Sequence, residues 1–570
     1  MMAHGSRRYF LGPLLVFAPL LCFAPVPSSA QSEDPATKTI YYLHGRIYTN
    51  DAQQPWATAM GIVGGKIRCI GSIESILLEC GGGAEGAEIV QLKGKFVMPG
   101  FNDAHVHLSG AGADLLAVQL NGADSVAKVQ KRVADAVALR KEGEWIKGSG
   151  WDHTLWPDKK FPSREQLDVV APRNPVFLTH ISGHVAVANS LALKLAGITR
   201  DTPNPAGGVI ERDADGEPTG MLEEGSAMQL VEMKVPEITP EQRRAGIVLA
   251  LADAARNGVT SVQDYSEWDD FNIYRQIKEE GKLTVRITEW LNFTLPLHDL
   301  LNLRSEGGTT DPWLKTGALK AFTDGAMGTR TAALLAPFSD DPSTSGVLIH
   351  DPVKLRAMAI ERDKAHFQLA FHAIGDRANR IALDVFEAVA QANGPRDRRD
   401  RIEHAQLVAP EDFPRFAALK VIASMQPSHE TTDMRWTEDR VGPERAKGSY
   451  AWATMLKNGV RLAFGTDYDV EPISPMRGLY ACVTRELPEG GPKGGWQPQE
   501  KISLEDCIRT YTSGSAYAEF EEGKKGELKP GEYADFIILS NDLTKVPPAD
   551  YVKTRVLQTV VGGRTVYQEK

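Results

Sequence analysis

Cysteine is scarce. The chain has five in 570 residues, and no two are spaced as Cys-x-x-Cys. That spacing would be needed for a zinc knuckle or a thioredoxin-like redox centre, so neither is indicated. Positive charge is in deficit: 64 Lys and Arg stand against 74 Asp and Glu, a formal charge of −10. No basic block occurs beyond the N-terminus, so nucleic acid and anionic membrane surfaces are excluded as natural partners. Low-complexity tracts and short-period repeats are absent, and after the first thirty residues no apolar run is long enough to suggest stable membrane insertion.

What remains is the composition of a soluble globular protein, 42% hydrophobic and 24% charged. The length suits two to four average domains, or one large barrel with additions. At the N-terminus "SRRYFLG" leads into the apolar "LGPLLVFAPLLCFAPV" and then "PSSAQS". A charged start, an apolar stretch and small residues together predict a signal peptide over 1–30, cleaved after Ala30. The stretch is too short and Pro-rich to span a membrane. Ser6-Arg7-Arg8-Tyr9-Phe10-Leu11 resembles a twin-arginine export signal, which predicts a folded protein exported to a bacterial periplasm. Cys22 follows Leu21 and does not resemble a lipoprotein acylation site. In an oxidising compartment Cys69 and Cys80 could pair, whereas Cys482 and Cys507 read as buried free thiols.

From Thr39 to Val97 short β-rich runs are broken by glycines, and the same texture returns in "GELKPGEYADFIILS" and "VLQTVVGGRTVYQ". Residues 39–97 and 525–570 are therefore expected to form one composite β-sandwich. Between them helices and apolar strands alternate, as in "GIVLALADAARNG" followed by "VTSVQD". That rhythm predicts an α/β fold, a (β/α)8 TIM-like barrel over 98–524. A stretch of about 122–237, with "WDHTLWPDKKFPSREQLD" and "TPNPAGGVIERDADGEPTG", breaks the rhythm and reads as an insertion after the first barrel strand.

Chemistry gathers at the predicted strand ends. In "VMPGFNDAHVHL", His105 and His107 are two apart, so a strand projects both imidazoles from one face. Asp264, Lys320, His372, His404, His429 and Asp467 close other predicted strands, and a barrel brings such ends to one mouth. Each alone has a bland explanation as a core or capping residue. Jointly they supply imidazoles, a carboxylate and an amine, which is a set for divalent metal.

The ordered motifs "MPGFNDAHVHL", "GHVAVANSLAL", "PNPAGGVIERDADGEPTGMLEE", "KAFTDGAMGTRTAAL", "FHAIGDRAN", "RIEHAQ", "QPSHETTDMRW" and "FGTDYDVEPISP" resemble the amidohydrolase superfamily. Within it the chain is similar to the YtcJ-like branch, amidohydrolase family three, which includes N-substituted formamide deformylases. The resemblance implies that His105, His107 and Asp467 bind a first metal, and His372 and His404 a second. It implies one or two zinc ions bridged by Lys320 as a carboxylated lysine, with Asp324 as the rival bridge and a single-metal site as the alternative. Asp467 would be the catalytic base and then acid as hydroxide on the metal attacks a linear amide. His184, Trp151, Asp152 and His429 are expected to contact a small-molecule substrate, with a homodimer allowed but not required. Two other readings stay open: an esterase or lactonase with the same metals, and a non-catalytic exported binding protein.

Overall fold

Two six-residue strands, β1 (Phe101–Val106) and β2 (Val259–Asp264), are buried at every position. Burial on both faces is the mark of a parallel sheet wrapped by helices. They are neighbours in an eight-stranded sheet that continues in chain order. The further strands are β3 (Arg286–Asn292), β4 (Leu314–Phe322), β5 (Leu369–Ala373), β6 (Arg401–His404), β7 (Ile422–Met425) and β8 (Leu462–Phe464). All pair in parallel. The ring closes just past β8, where the Asp467 amide donates to His105 O at 2.8 Å and Val106 bridges Tyr468. This is the expected barrel. The computed structural model describes residues 39–80, 86–180, 183–205 and 207–570; the predicted signal peptide lies outside the described residues.

Helix α1 (Leu108–Leu116) follows β1, and helix α2 (Pro240–Arg256) precedes β2. Thr239 caps α2 through the Gln242 amide and Gln242 bonds back, with Pro240 at the first helical position. The two helices cross through Gly112 and Gly246. A methyl group on Gly112 would lie 2.4 Å from the Gly246 carbonyl carbon, so only glycine permits the contact.

Between α1 and α2 the insertion builds its own six-stranded sheet. Its strands are Val118–Gln119, Ile146–Trp151, Val176–His180, Val185–Ala188, Val209–Arg212 and Pro218–Glu223. Two further sheets come from the two ends of the chain. One holds four strands within Thr39–Gln91; the other joins Arg46–Tyr48, Trp56–Ala57 and Phe96–Pro99 to Phe536–Leu539, Val556–Val561 and Arg564–Gln568. Arg286 at the start of β3 ties the barrel to this unit by a two-pronged pair with Asp535, at 2.7 and 3.0 Å.

Both cysteine pairs are bonded. Cys69–Cys80 follows the expectation, with Cα atoms 5.9 Å apart. Cys482–Cys507 corrects the free-thiol reading: helices Pro475–Thr484 and Leu504–Arg509 pack together and bring the Cα atoms to 6.6 Å. Among the described residues no helix is long and apolar enough to cross a membrane.

Candidate active site

The mouth is assembled by backbone turns as much as by strands. His404 ends β6 with φ of 72°, and Asp467 follows β8 with φ of 56°. Both are left-handed conformations that disfavour side chains, and such strain gathers where a side chain must be aimed. Asp103 clamps the strand ends by accepting from Thr466 N at 2.9 Å and Thr466 Oγ1 at 2.6 Å. Gly465 permits the approach, since a Cβ there would lie 2.6 Å from His105 N.

Three imidazoles have one ring nitrogen already committed. His105 Nδ1 lies 2.7 Å from Glu403 Oε2, His107 Nδ1 lies 3.0 Å from Tyr265 O, and His404 Nδ1 lies 2.8 Å from Gln426 Oε1. Each partner can only accept, so each Nδ1 carries a hydrogen and Nε2 is the nitrogen left to face the mouth. This is how metal-binding histidines are held by outer neighbours. His372 is reversed: its Nε2 faces Gly325 O at 3.3 Å and Asp324 at 3.5 Å, which leaves Nδ1.

Asp467 is the hub. One carboxylate oxygen lies 3.2 Å from His107 Nε2 and 3.6 Å from His105 Nε2, the other 3.8 Å from His429 Nε2. Burial pushes its carboxyl up, but His105, the His107 hydrogen bond and His404 outweigh burial and hold it well below the usual range. Burial, aided by Lys320, depresses His105 to about 4 and His372 to about 3. His404 is also held well below its ordinary value, by burial and then by His372. His105, His372 and His404 are thus neutral beside an ionised carboxylate, whereas at His107 burial is outweighed by the Asp467 hydrogen bond and charge, which raise it. His429 Nε2 is buried with no hydrogen-bond partner.

These donors fit a cation. At the mouth two groups bring ligand atoms within 4.8 Å of one another: His105, His107 and Asp467, and His404, His429 and Asp467. The first matches the expected trio. In the second the structure joins His404 to His429, where the sequence paired it with His372; the His372 ring remains 4.6 Å from His404. Lys320 is buried with Nζ 2.9 Å from His105 Nε2 and 5.0 Å from the Phe322 ring centre. Burial lowers its ammonium to about 8, against the pull of Glu403 and Asp467. Asp324, the rival bridge, is committed elsewhere: it accepts from the amides of Ala333, Ile374 and Gly375 at 2.8, 3.0 and 2.8 Å.

The remaining expectations divide. Trp151 is fully buried in the insertion's core and donates to Leu178 O at 3.0 Å, so it is a packing residue, not a substrate contact. Asp152 caps its own turn by accepting from Thr154 N at 2.9 Å. His184 is exposed beside Glu224, 3.1 Å away. Asp264 accepts the Leu108 amide at 2.8 Å and so steadies the residue after His107. Sequence reasoning missed Glu403, Gln426 and Arg401. Their signal was present: Arg401 and Glu403 alternate within "RIEH", an ion pair inside a strand with no exposed face.

The chain matches the amidohydrolase family over residues 88–567. It belongs to that family. The protein LONG AFTER FAR-RED 3 of Arabidopsis thaliana is 39% identical over 543 residues, 92% of this chain and 91% of that protein. The putative amidohydrolase YtcJ of Bacillus subtilis is 32% identical over 92% of this chain and 98% of its own length. The N-substituted formamide deformylase of Arthrobacter pascens is 28% identical over 93% and 98%. Among solved structures, an uncharacterized metal-dependent hydrolase of Pyrococcus furiosus superposes with a TM-score of 0.72 at 32% identity, over 90% of this chain and 100% of that one. The protein is therefore a hydrolytic enzyme of a metal-dependent amidohydrolase family with a TIM-barrel core.

Proposed function

We propose that the enzyme cleaves the carbon–nitrogen bond of a linear amide, an N-substituted formamide or N-acyl amine. The observation that carries this reading is the set of imidazole Nε2 atoms converging on one ionised carboxylate, Asp467. The similarity to a formamide deformylase supports the bond class.

His105, His107 and Asp467 would hold one zinc ion and His372 and His404 a second, which would supply acidified water and a polarised carbonyl when bound. Glu403, Tyr265 O and Gln426 keep the rings oriented throughout. Asp467 accepts a proton from the attacking water and passes it to the leaving nitrogen, acting as base and then acid. His429, 3.8 Å from Asp467, is positioned to steady the substrate at that step. Lys320 would bridge the ions as a carbamate: its neutral amine adds to carbon dioxide, forming an N–C bond and releasing a proton. Its apolar ring neighbours and the full commitment of Asp324 to backbone amides support Lys320 over Asp324 as the bridge.

Metal analysis beside turnover of formamide, N-acyl amine and ester panels tests the reading. Amide turnover that is lost on chelation and returns with zinc is expected; turnover of esters alone, or activity indifferent to chelation, would overturn it. Export is a separate proposal, supported by "SRRYFL" and by two disulfides that suit an oxidising compartment. Replacing Arg7 and Arg8 with lysine is expected to strand the precursor inside the cell, and unchanged export would refute a twin-arginine route.

A further inference from the structure

At the end of the barrel opposite the histidines lies a cavity of about 450 Å³, walled by the starts of β3 and β4, the segment before β5 and the turn Glu519–Lys524. Five cationic side chains line it, Arg304, Lys315, Arg396, Arg398 and Lys524, against the carboxylates of Glu519 and Glu521. Those carboxylates are already taken. Glu521 pairs with Lys315 and Lys524, and Glu519 with Lys525 at 2.8 Å. Behind the wall, buried Asp363 serves both Arg396 and Arg398. Five cations therefore share these three carboxylates, with buried Asp400 a further acidic group near Arg396 and Arg398.

Two guanidinium groups show the surplus most clearly. Arg304 has no carboxylate partner among the described residues; it donates to Ala365 O at 2.9 Å and lies 4.0 Å over the Phe367 ring. Burial lowers its pKa, as expected for a cation removed from water without an opposite charge. Arg396 donates to Phe367 O at 2.9 Å, yet its Nε is buried with no hydrogen-bond partner. Phe367 joins the two arginines, and all three line the one cavity.

We infer that this cavity binds a small, multiply charged oxyanion, a phosphate or a di- or tricarboxylate, gripped by Arg304, Arg396 and Lys524. Guanidinium groups offer paired N–H donors in a fixed fork that matches such oxygens. The volume lies within the range of small-molecule sites. Bound there, the anion would tie the C-terminal turn to the barrel floor and favour the folded state by mass action.

Calorimetric titration of the purified enzyme with inorganic phosphate, and separately with citrate, tests the inference at constant ionic strength. Saturable one-to-one binding of at least one anion is expected, with the tighter arm identifying the class. Binding should persist in His404→Ala, which separates it from anion capture at the histidine cluster. It should weaken at least tenfold in Arg304→Gln/Arg396→Gln. Lys524→Gln, at a half-exposed position, keeps the fold safe and should weaken binding several-fold while leaving turnover unchanged. No saturable heat with either anion, or binding that His404→Ala abolishes and the floor substitutions leave intact, would overturn the assignment.

Discussion

The two ends of the barrel are both rich in buried polar groups, and they solve the cost of burial in opposite ways. Below the strands, charge meets opposite charge. Glu519 accepts Asn102 Nδ2 at 2.7 Å and pairs with Lys525, Lys315 pairs with Glu521, and Arg286 grips Asp535. Above the strands, metal-ligating atoms crowd together: imidazole Nε2 atoms surround Asp467, and buried His429 Nε2 has no hydrogen-bond partner. These floor pairs are completed by the chain itself, whereas a mouth crowded with ligand atoms calls for a cation from outside. Stability and chemistry are thereby assigned to opposite ends of one barrel, as in such barrels generally.

Substitutions at the two ends should separate these roles. The largest effect is expected at the mouth: Asp467→Asn should lower turnover by about 10^4-fold, the upper end of what a placed proton-transfer group supplies, while the metal-free protein still folds cooperatively. Steady-state kinetics beside calorimetric melting checks this, and a collapse of folding with turnover would erase the distinction. On the floor, Glu519→Gln leaves Lys525 without its buried partner, and a loss of about 3–5 kcal/mol is expected in denaturant unfolding. Turnover per folded molecule should stay the same.

Acid should sharpen the contrast. His105, His372 and His404 are held neutral in the folded protein, with His105 at about 4 and His372 at about 3. An unfolded chain takes up these protons near the ordinary imidazole value of about 6.5, so acid favours unfolding. The stability of neutral rings is fully present above that value and is lost as pH falls toward 4 and then 3. Each ring should contribute a slope of about 1.4 kcal/mol per pH unit in that window. Melting of the chelated protein between pH 7.5 and 4 tests it, and His404→Ala should flatten the curve. The smallest effect belongs to His184, which is exposed in the insertion: His184→Ala should alter stability by less than about 0.5 kcal/mol. A large loss of turnover in that variant would show that the insertion reaches the substrate after all.

Much of this division was legible in advance for reasons of local geometry. The period of two places His105 with His107, and apolar strands separated by helices specify a parallel barrel whose polar ends converge. The order of motifs from "MPGFNDAHVHL" to "FGTDYDVEPISP" was enough to indicate the family. Tertiary structure alone decided which ring nitrogens are free. Glu403, Tyr265 and Gln426 lie on other strands or loops than the rings they hold, and strand stagger sets which of them meet. The grouping of His404 with His429 depends on left-handed turns at His404 and Asp467, conformations that no spacing announces. Trp151 read as a mouth residue because its segment was expected to line the mouth; its N–H found a carbonyl inside the insertion instead. Cys482 and Cys507 met because two helices pack, a contact between segments 25 residues apart that local pattern does not encode. Periodicity assigns a side chain to a face. Only the closed fold determines what stands opposite it.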